Sequence, residues 1–223
     1  MMKRLAVLCV LALIVSAANA TLVTNAGFES MTEVDGKLVP DNWALYPGNG
    51  ATVYFAAKTD VVYEGTYSEK IAARQGYGMI HQTILGFTGG ESLSLWLYGR
   101  GDTNGDWQMD EVGDQVDVSV KFKDAGGAQI GSEISMVLFD ADESTDAQIL
   151  STTDWLKSPV FSFVTPENTA QVQIKIRSVD GTVDGNLKDG TGVYLDNITL
   201  VPEPATMLLL GLGGLLGLCG RKR

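Results

Sequence analysis

Cysteine is nearly missing from this chain. Cys9 lies in an apolar stretch near the start and Cys219 in another near the end, so the whole segment between them has none. That segment can have no internal disulfide brace, and no thiol is available there as a nucleophile. Histidine is as scarce: His81 stands alone, in "MIHQTI", where a strand histidine with a satisfied ring is the plain reading. No Gly-x-Ser-x-Gly elbow occurs, and no spacing singles out a carboxylate pair for glycoside hydrolysis. Basic residues are few as well. All 27 acidic residues follow residue 20, against 11 basic ones before the last three residues, which leaves that region near −16. A surface of that sign repels phosphate backbones and anionic lipid, which excludes nucleic acid and suits a divalent cation or a neutral polymer. No convincing long amphipathic helix appears either.

The two ends have their own patterns. "MMKRLAVLCVLALIVSAANA" carries Lys3 and Arg4, an apolar run from Leu5 to Val15, and small residues ending Ala18-Asn19-Ala20. These are the parts of a secretory signal peptide cut by signal peptidase, so a mature chain is expected to start at Thr21 outside the cytoplasm. At the other end, Val201-Pro202-Glu203-Pro204 precedes an uncharged run to Gly220 and then Arg221-Lys222-Arg223. As a helix, the uncharged run would span roughly 25 Å, a marginal membrane crossing that its glycines weaken further. The bases would stay on the cytoplasmic side. The Pro-Glu-Pro segment is expected to be extended and exposed, as a processing protease requires.

This three-part tail, residues 201–223, resembles the PEP-CTERM sorting signal of Gram-negative bacteria, a tail also labelled an ice-binding protein C-terminal domain. The resemblance implies recognition by an exosortase, removal of the tail near Pro-Glu-Pro, and export linked to exopolysaccharide or biofilm. It does not imply ice binding.

Residues 21–200 are expected to form one domain. "VDVSVKF" sets Val116, Val118, Val120 and Phe122 against Asp117, Ser119 and Lys121, and "AQVQIKIRS" sets Val172, Ile174 and Ile176 against Gln173, Lys175 and Arg177. A period of two marks half-buried antiparallel strands. "ATVYFAA", "SLSLWLY", "ISMVLF", "PVFSFV" and "GVYLDNITL" are further runs of strand length, separated by turn signals such as "YPGNG", "KDAGGA" and "VDGTVDGN". The expected fold class is all-β, a two-sheet antiparallel jelly-roll sandwich, flanked by an N-terminal signal helix and a C-terminal apolar helix.

Four stretches carry a second resemblance: the opening "LVTNAGFESMTEVDGKLVPDNWALY", then "VYEGTYSEKIAA", "GGESLSLWLYGRG" and the closing "GVYLDNITL". Together they resemble the galactose-binding-like jelly rolls that include carbohydrate-binding modules. That resemblance implies a structural calcium joining the first and last strands. It would be held here by Glu29 and Asp196, with backbone carbonyls near Gly27 and Gly65 as further ligands. Hard cations take six to eight oxygens, and one here would tie both ends of a cysteine-free domain.

A second acidic group, "GDTNGDWQMDEVGD", places Asp102, Asn104, Asp106 and Asp110 at positions one, three, five and nine of an EF-hand-like loop. It resembles a degenerate dockerin or EF-hand loop. Trp107 stands where the turn glycine belongs and Gly113 where the bidentate glutamate belongs, so as a calcium site it is the weaker of the two. Trp107 is expected to be exposed on this loop and able to stack on a pyranose. Trp43 and Trp155 sit near expected loops, and Trp96 alternates within a strand.

These readings converge on an exported, non-catalytic protein of the cell surface or exopolysaccharide matrix that contacts polysaccharide through a calcium-stabilised jelly roll. The alternatives are a secreted carbohydrate-active enzyme and a purely structural surface protein with no glycan ligand.

Overall fold

In the computed structural model the residues described are 21–48, 52–103, 107, 109, 113–141, 148–150, 152–181 and 190–203. The expected signal helix and apolar tail helix lie outside them. Among the described residues there are fourteen strands: β1 (Met31–Val34), β2 (Lys37–Pro40), β3 (Ala44–Tyr46), β4 (Thr52–Lys58), β5 (Ser68–Arg74), β6 (Gly76–Leu85), β7 (Ser92–Gly101), β8 (Gln115–Lys123), β9 (Gln129–Asp140), β10 (Gln148–Ile149), β11 (Leu156–Lys157), β12 (Phe161–Val164), β13 (Gln171–Asp180) and β14 (Thr191–Pro202). β1 and β2 form a hairpin by themselves.

The others make two sheets. One runs β10-β9-β8-β13-β6-β3, and the other β11-β7-β14-β5-β4 with β12 also on β7. Pairing is antiparallel throughout, apart from the two-residue β10 against β9. The chain crosses repeatedly from one sheet to the other, which is the jelly-roll sandwich expected from the strand pattern.

The period-two residues form the core as their sequence dictates. Val116, Val118 and Val120 of β8 and Val172, Ile174 and Ile176 of β13 are fully buried. Across from them lie Ile71 of β5, Leu93, Leu95 and Leu97 of β7, and Val193, Leu195, Ile198 and Leu200 of β14. Each such side chain contributes about 1.5–3 kcal/mol on burial, and this apolar contact stands in for the missing disulfides.

β14 changes its parity within this row. Four residues of β14 (Asp196 to Thr199) stand against three of β7 (Tyr98 to Trp96), so one extra residue is accommodated as a bulge. Asn197 adopts a φ of 46° there. Before the bulge the odd-numbered residues point inward; after it Ile198 and Leu200 do. A strand without the bulge would turn one half of this row to solvent.

Gln82 and Glu69 are polar residues at inward-facing positions. Gln82 is satisfied: its Oε1 accepts from Thr24 N at 2.9 Å, and its Nε2 donates to Thr24 O and Asn42 O at 2.8 and 3.2 Å. Glu69 is not. It sits on β5 between Ala57 and Leu195, on the face that carries Ile71, and it is fully buried. Neither carboxyl oxygen has a hydrogen-bond partner among the described residues. Burial pushes this carboxyl from its ordinary 4.5 up to about 8.

The linkage has a definite sign. Below about pH 4.5 the Glu69 carboxyl is protonated in folded and unfolded chains alike. Between 4.5 and 8 the unfolded chain ionises while the folded one holds its proton, so stability falls as pH rises. Glu69→Gln is expected to flatten that fall and to be more stable than the natural chain at pH 8, by on the order of 3 kcal/mol. Urea unfolding at pH 5 and pH 8 measures this, and parallel pH dependence in both proteins would refute it.

Candidate functional site

The two ends of the domain meet at a pair of carboxylates. Asp196, at the β14 bulge, has no solvent exposure, and its Oδ2 accepts from the backbone N–H groups of Tyr63 and Glu64 at 3.0 and 3.3 Å. Its Oδ1 accepts from Asn197 N at 2.7 Å. Glu29 is exposed and clasps the same β4–β5 loop, accepting from Thr66 N at 2.9 Å and Tyr67 N at 3.1 Å. Gly27 lies between them: a Cβ there would stand 3.5 Å from Asp196 Oδ1 and 3.9 Å from Glu29 Cγ. Gly65 has a φ of +80°, and a Cβ on it would overlap the Glu29 carboxylate. The four positions singled out from the sequence are therefore brought together.

Asp196 is pushed up to about 6, chiefly by burial, with three backbone N–H groups pulling it down and the Glu29 charge adding to the rise. A buried carboxylate raised by burial and a second negative charge is a donor set that suits a hard divalent cation. Among the described residues no three His, Cys, Asp or Glu side chains gather, so further ligands would be backbone carbonyls or water.

The second acidic group is arranged differently. Asp102 is buried and ion-paired with Lys70 of β5, and it accepts from Tyr194 Oη at 3.1 Å. The Lys70 ammonium lies within 5.7 Å of the Tyr54 ring centre, 5.6 Å of Tyr194 and 6.0 Å of Trp107. Asp102 thus points onto the sheet. Asn104, Asp106 and Asp110 lie outside the described residues.

Trp107 departs from expectation. It is half-buried, with the Arg74 guanidinium 4.3 Å from its ring centre and the backbone of Gly190 and Gly192 close beneath it. The cations and glycines of β5 and β14 provide a packing surface that loop polarity did not reveal. Trp43 is buried, packs on Phe28 at 5.6 Å and donates from Nε1 to Asn25 O. Tyr63 stacks on Tyr98 at 3.9 Å with Trp155 edge-on at 5.9 Å, and Lys157 lies over Trp96 at 4.3 Å. The outer face of the β7–β14–β5 sheet is therefore roofed by aromatic side chains from its own loops.

The outer face of the other sheet is built from polar cross-strand rows. One row runs Tyr46, Met79, Arg177 and Asp117; the next runs Ala44, His81, Lys175 and Ser119. Arg177 makes a two-pronged bridge to Asp117, with Nε and Nη2 each donating at 2.7 Å, and its guanidinium lies 5.5 Å from the Tyr77 ring centre. Burial pushes Asp117 up, against the opposing pull of that fork. Gln173 Nε2 donates to His81 Nδ1 at 3.2 Å and Thr83 Oγ1 at 3.3 Å. His81 is held below its ordinary value by burial first, then by Lys175 and Lys123, which keeps the ring neutral. Lys175 donates to Glu133 at 2.7 Å.

Asp117 and Ser119 point outward yet are only 3% and 2% exposed, lying beside the longer side chains of Arg177 and Lys175 that pair with them across the ladder. On the margin of this face Tyr46 is 44% exposed and its ring lies 6.5 Å from that of Tyr77. None of Tyr46, Tyr77, His81, Gln173 or Arg177 stood out in the sequence as a ligand contact. The outward half of "AQVQIKIRS" supplied two of them, but only strand pairing gives them neighbours.

The sorting motif also differs from expectation. Val201 and Pro202 are the last residues of β14, paired with Ser94 and Leu93, and Val201 is buried. The chain is extended there, but it is bound into a sheet rather than exposed. Pro204 lies outside the described residues.

This chain is a jelly-roll sandwich that ends in a sorting motif. Residues 200–223 match the PEP-CTERM protein-sorting motif. No curated protein matches the chain. Solved structures share its fold. The enzymatically active domain of tailspike protein 4 of bacteriophage CBA120 has a TM-score of 0.55 and 15% identity over 82% of this chain, which spans 21% of that domain's length. A proposed sugar-binding protein from Bacteroides thetaiotaomicron VPI-5482 has a TM-score of 0.50 and 13% identity, covering 82% of this chain and 100% of that one. The CBM22-1 xylan-binding domain of Paenibacillus barcinonensis Xyn10C has a TM-score of 0.48 and 12% identity, covering 85% and 98%.

Two outcomes are expected here. Calcium at a hundred times its Kd should stabilise the domain by about 2.7 kcal/mol, read as a rise in melting temperature, and Glu29→Gln or Asp196→Asn should remove most of that rise. Without calcium, Asp196 should make stability fall between pH 4 and pH 6, and calcium should suppress that fall by favouring the carboxylate. No response to calcium, or one lost instead in Asp106→Asn, would move the site elsewhere. Separately, Trp107→Ala should cost about 1–3 kcal/mol in thermal or urea unfolding, because a packed ring is lost from above β5 and β14.

Proposed function

We propose that this is an exported surface protein that binds neutral polysaccharide without turning it over, and that a sorting enzyme of the exosortase kind removes its tail. Export and a transient hold in the membrane are the consequences expected of the PEP-CTERM motif at residues 200–223. On this reading the protein ends at the cell surface or in the exopolysaccharide matrix of a Gram-negative bacterium, with a structural calcium at Glu29 and Asp196.

The observation that carries polysaccharide binding is the row of fixed polar groups on the outer face of the β8–β13–β6 sheet. Gln173, His81 and Thr83 form a fixed hydrogen-bonding row, and the Arg177–Asp117 fork is held beside Tyr77. Sugar hydroxyls need fixed donors and acceptors, and the apolar face of a pyranose needs a ring to lie against; Tyr46 and Tyr77 supply the rings at one margin. The acidic balance of the chain argues for a neutral polymer.

Affinity electrophoresis through a panel of neutral polysaccharides tests this. One polymer should retard the natural protein, and Tyr46→Ala or Gln173→Ala should weaken that retardation about tenfold with little change in melting temperature. Release of reducing sugar from the bound polymer would favour a carbohydrate-active enzyme instead. Retardation undiminished in both variants would remove this face as the site.

A further inference from the structure

The first three residues of the sorting motif are part of the folded domain. Val201 lies opposite Ser94 and Pro202 opposite Leu93. Glu203 N donates to Ser92 O at 2.9 Å, and its Oε1 accepts at 2.9 Å from Ser94 Oγ, which stands 2.9 Å from Ser162 Oγ on β12. The proline does not interrupt this pairing. Successive residues of a strand turn their N–H and C=O groups to opposite sides. Glu203 turns its own toward β7, so the Pro202 nitrogen faces away, where no ladder bond is lost. Upstream, Leu200 is braced on its other side by Leu22 N at 2.7 Å and Thr21 Oγ1 at 3.1 Å.

An enzyme that cuts beside such a motif grips an extended backbone through its own hydrogen bonds, as in strand addition. Here β7 already holds that backbone. We infer that the pairing of Val201–Glu203 with Ser92–Ser94 is a gate on tail processing: the domain and the sorting enzyme compete for one strand, and the cut follows only when the end of β14 leaves β7. This rests on the sorting reading above. The fold marks where the strand parts. β5 pairs with β14 only as far as Leu195, and the bulge separates that doubly paired half from Thr199 onward. The last three residues, Val201 to Glu203, open at the cost of a few hydrogen bonds and the burial of Val201 while Leu200 stays in the core, so local fraying rather than global unfolding exposes the motif. A chain whose β14 has not yet docked presents it without that cost. The cut is acyl transfer from the backbone amide to a nucleophile, water or an amine, and the tail leaves with a new amino terminus.

The test uses the full chain, with Cys219→Ser, co-expressed with an active sorting enzyme in a Gram-negative host. The fraction keeping its tail is followed by intact mass in a pulse-chase. Ser94→Cys with Val201→Cys places two thiols at opposed positions, where an oxidising periplasm can join them. The joined chain should keep its tail at least tenfold longer than either single variant, and a reductant should restore processing. A second variant carries a Gly/Ser spacer of about six residues before Val201, which moves the motif off β7, and should be processed several-fold faster. A joined chain cut at the rate of the single variants, or a spacer without effect, overturns the gate alone. A natural chain that keeps its tail beside an active enzyme overturns the sorting reading and the gate with it.

Discussion

Strand β14 carries three separate features of this structure. Its inward residues Val193, Leu195, Ile198 and Leu200 lie in the middle of the apolar contact between the sheets, in a segment with no cysteine to share the task. One bulge keeps that row inward along twelve residues. The same bulge turns Asp196 into the β4–β5 loop, while Tyr194, two residues earlier, meets the Lys70–Asp102 pair on the outer face. Core, carboxylate clasp and sorting motif are thus successive parts of a single strand, and its register sets all three.

The two outer faces of the sandwich are built differently. Over β5, β14 and β7, cations lie on aromatic rings and Lys70 is paired with Asp102, so polar groups there meet one another. Taking a lysine and an aspartate out of water is costly, and the attraction between them offsets that cost only in part. Over β8, β13 and β6 the polar groups are held in rows by one another across the strands. Polar groups fixed in this way have their orientation set in advance, which lowers the ordering cost of any contact they make.

Much of the fold was legible because burial in a sandwich writes itself into sequence with a period of two. Val116-x-Val118-x-Val120 and Val172-x-Ile174-x-Ile176 could be assigned to an inward face without knowing their neighbours. Glu29, Asp196, Gly27 and Gly65 were found through resemblance, and they do meet. Other features were hidden for a common reason: they depend on pairing between distant strands. Nothing in "GDTNGDWQ" tells that Asp102 finds Lys70, or that Trp107 finds Arg74. The proline bracket suggested exposure because prolines break ladders, yet Pro202 falls at the one parity where no ladder bond is lost. Glu69 has no sequence signal at all, since a charged residue in a strand ordinarily reads as an outward one.

The bond from Leu22 to Leu200 joins residues near opposite ends of the described chain, and that from Thr21 spans 179 positions. Contacts so distant in sequence close only after almost the whole domain has been made, and chains rich in them fold slowly. Loop closure of this length costs its entropy before the docked strand returns any of it. The last strand to be synthesised is then also the one that completes both the core and the brace at Leu200. Docking of β14 is therefore expected to be a late step in the folding of this domain.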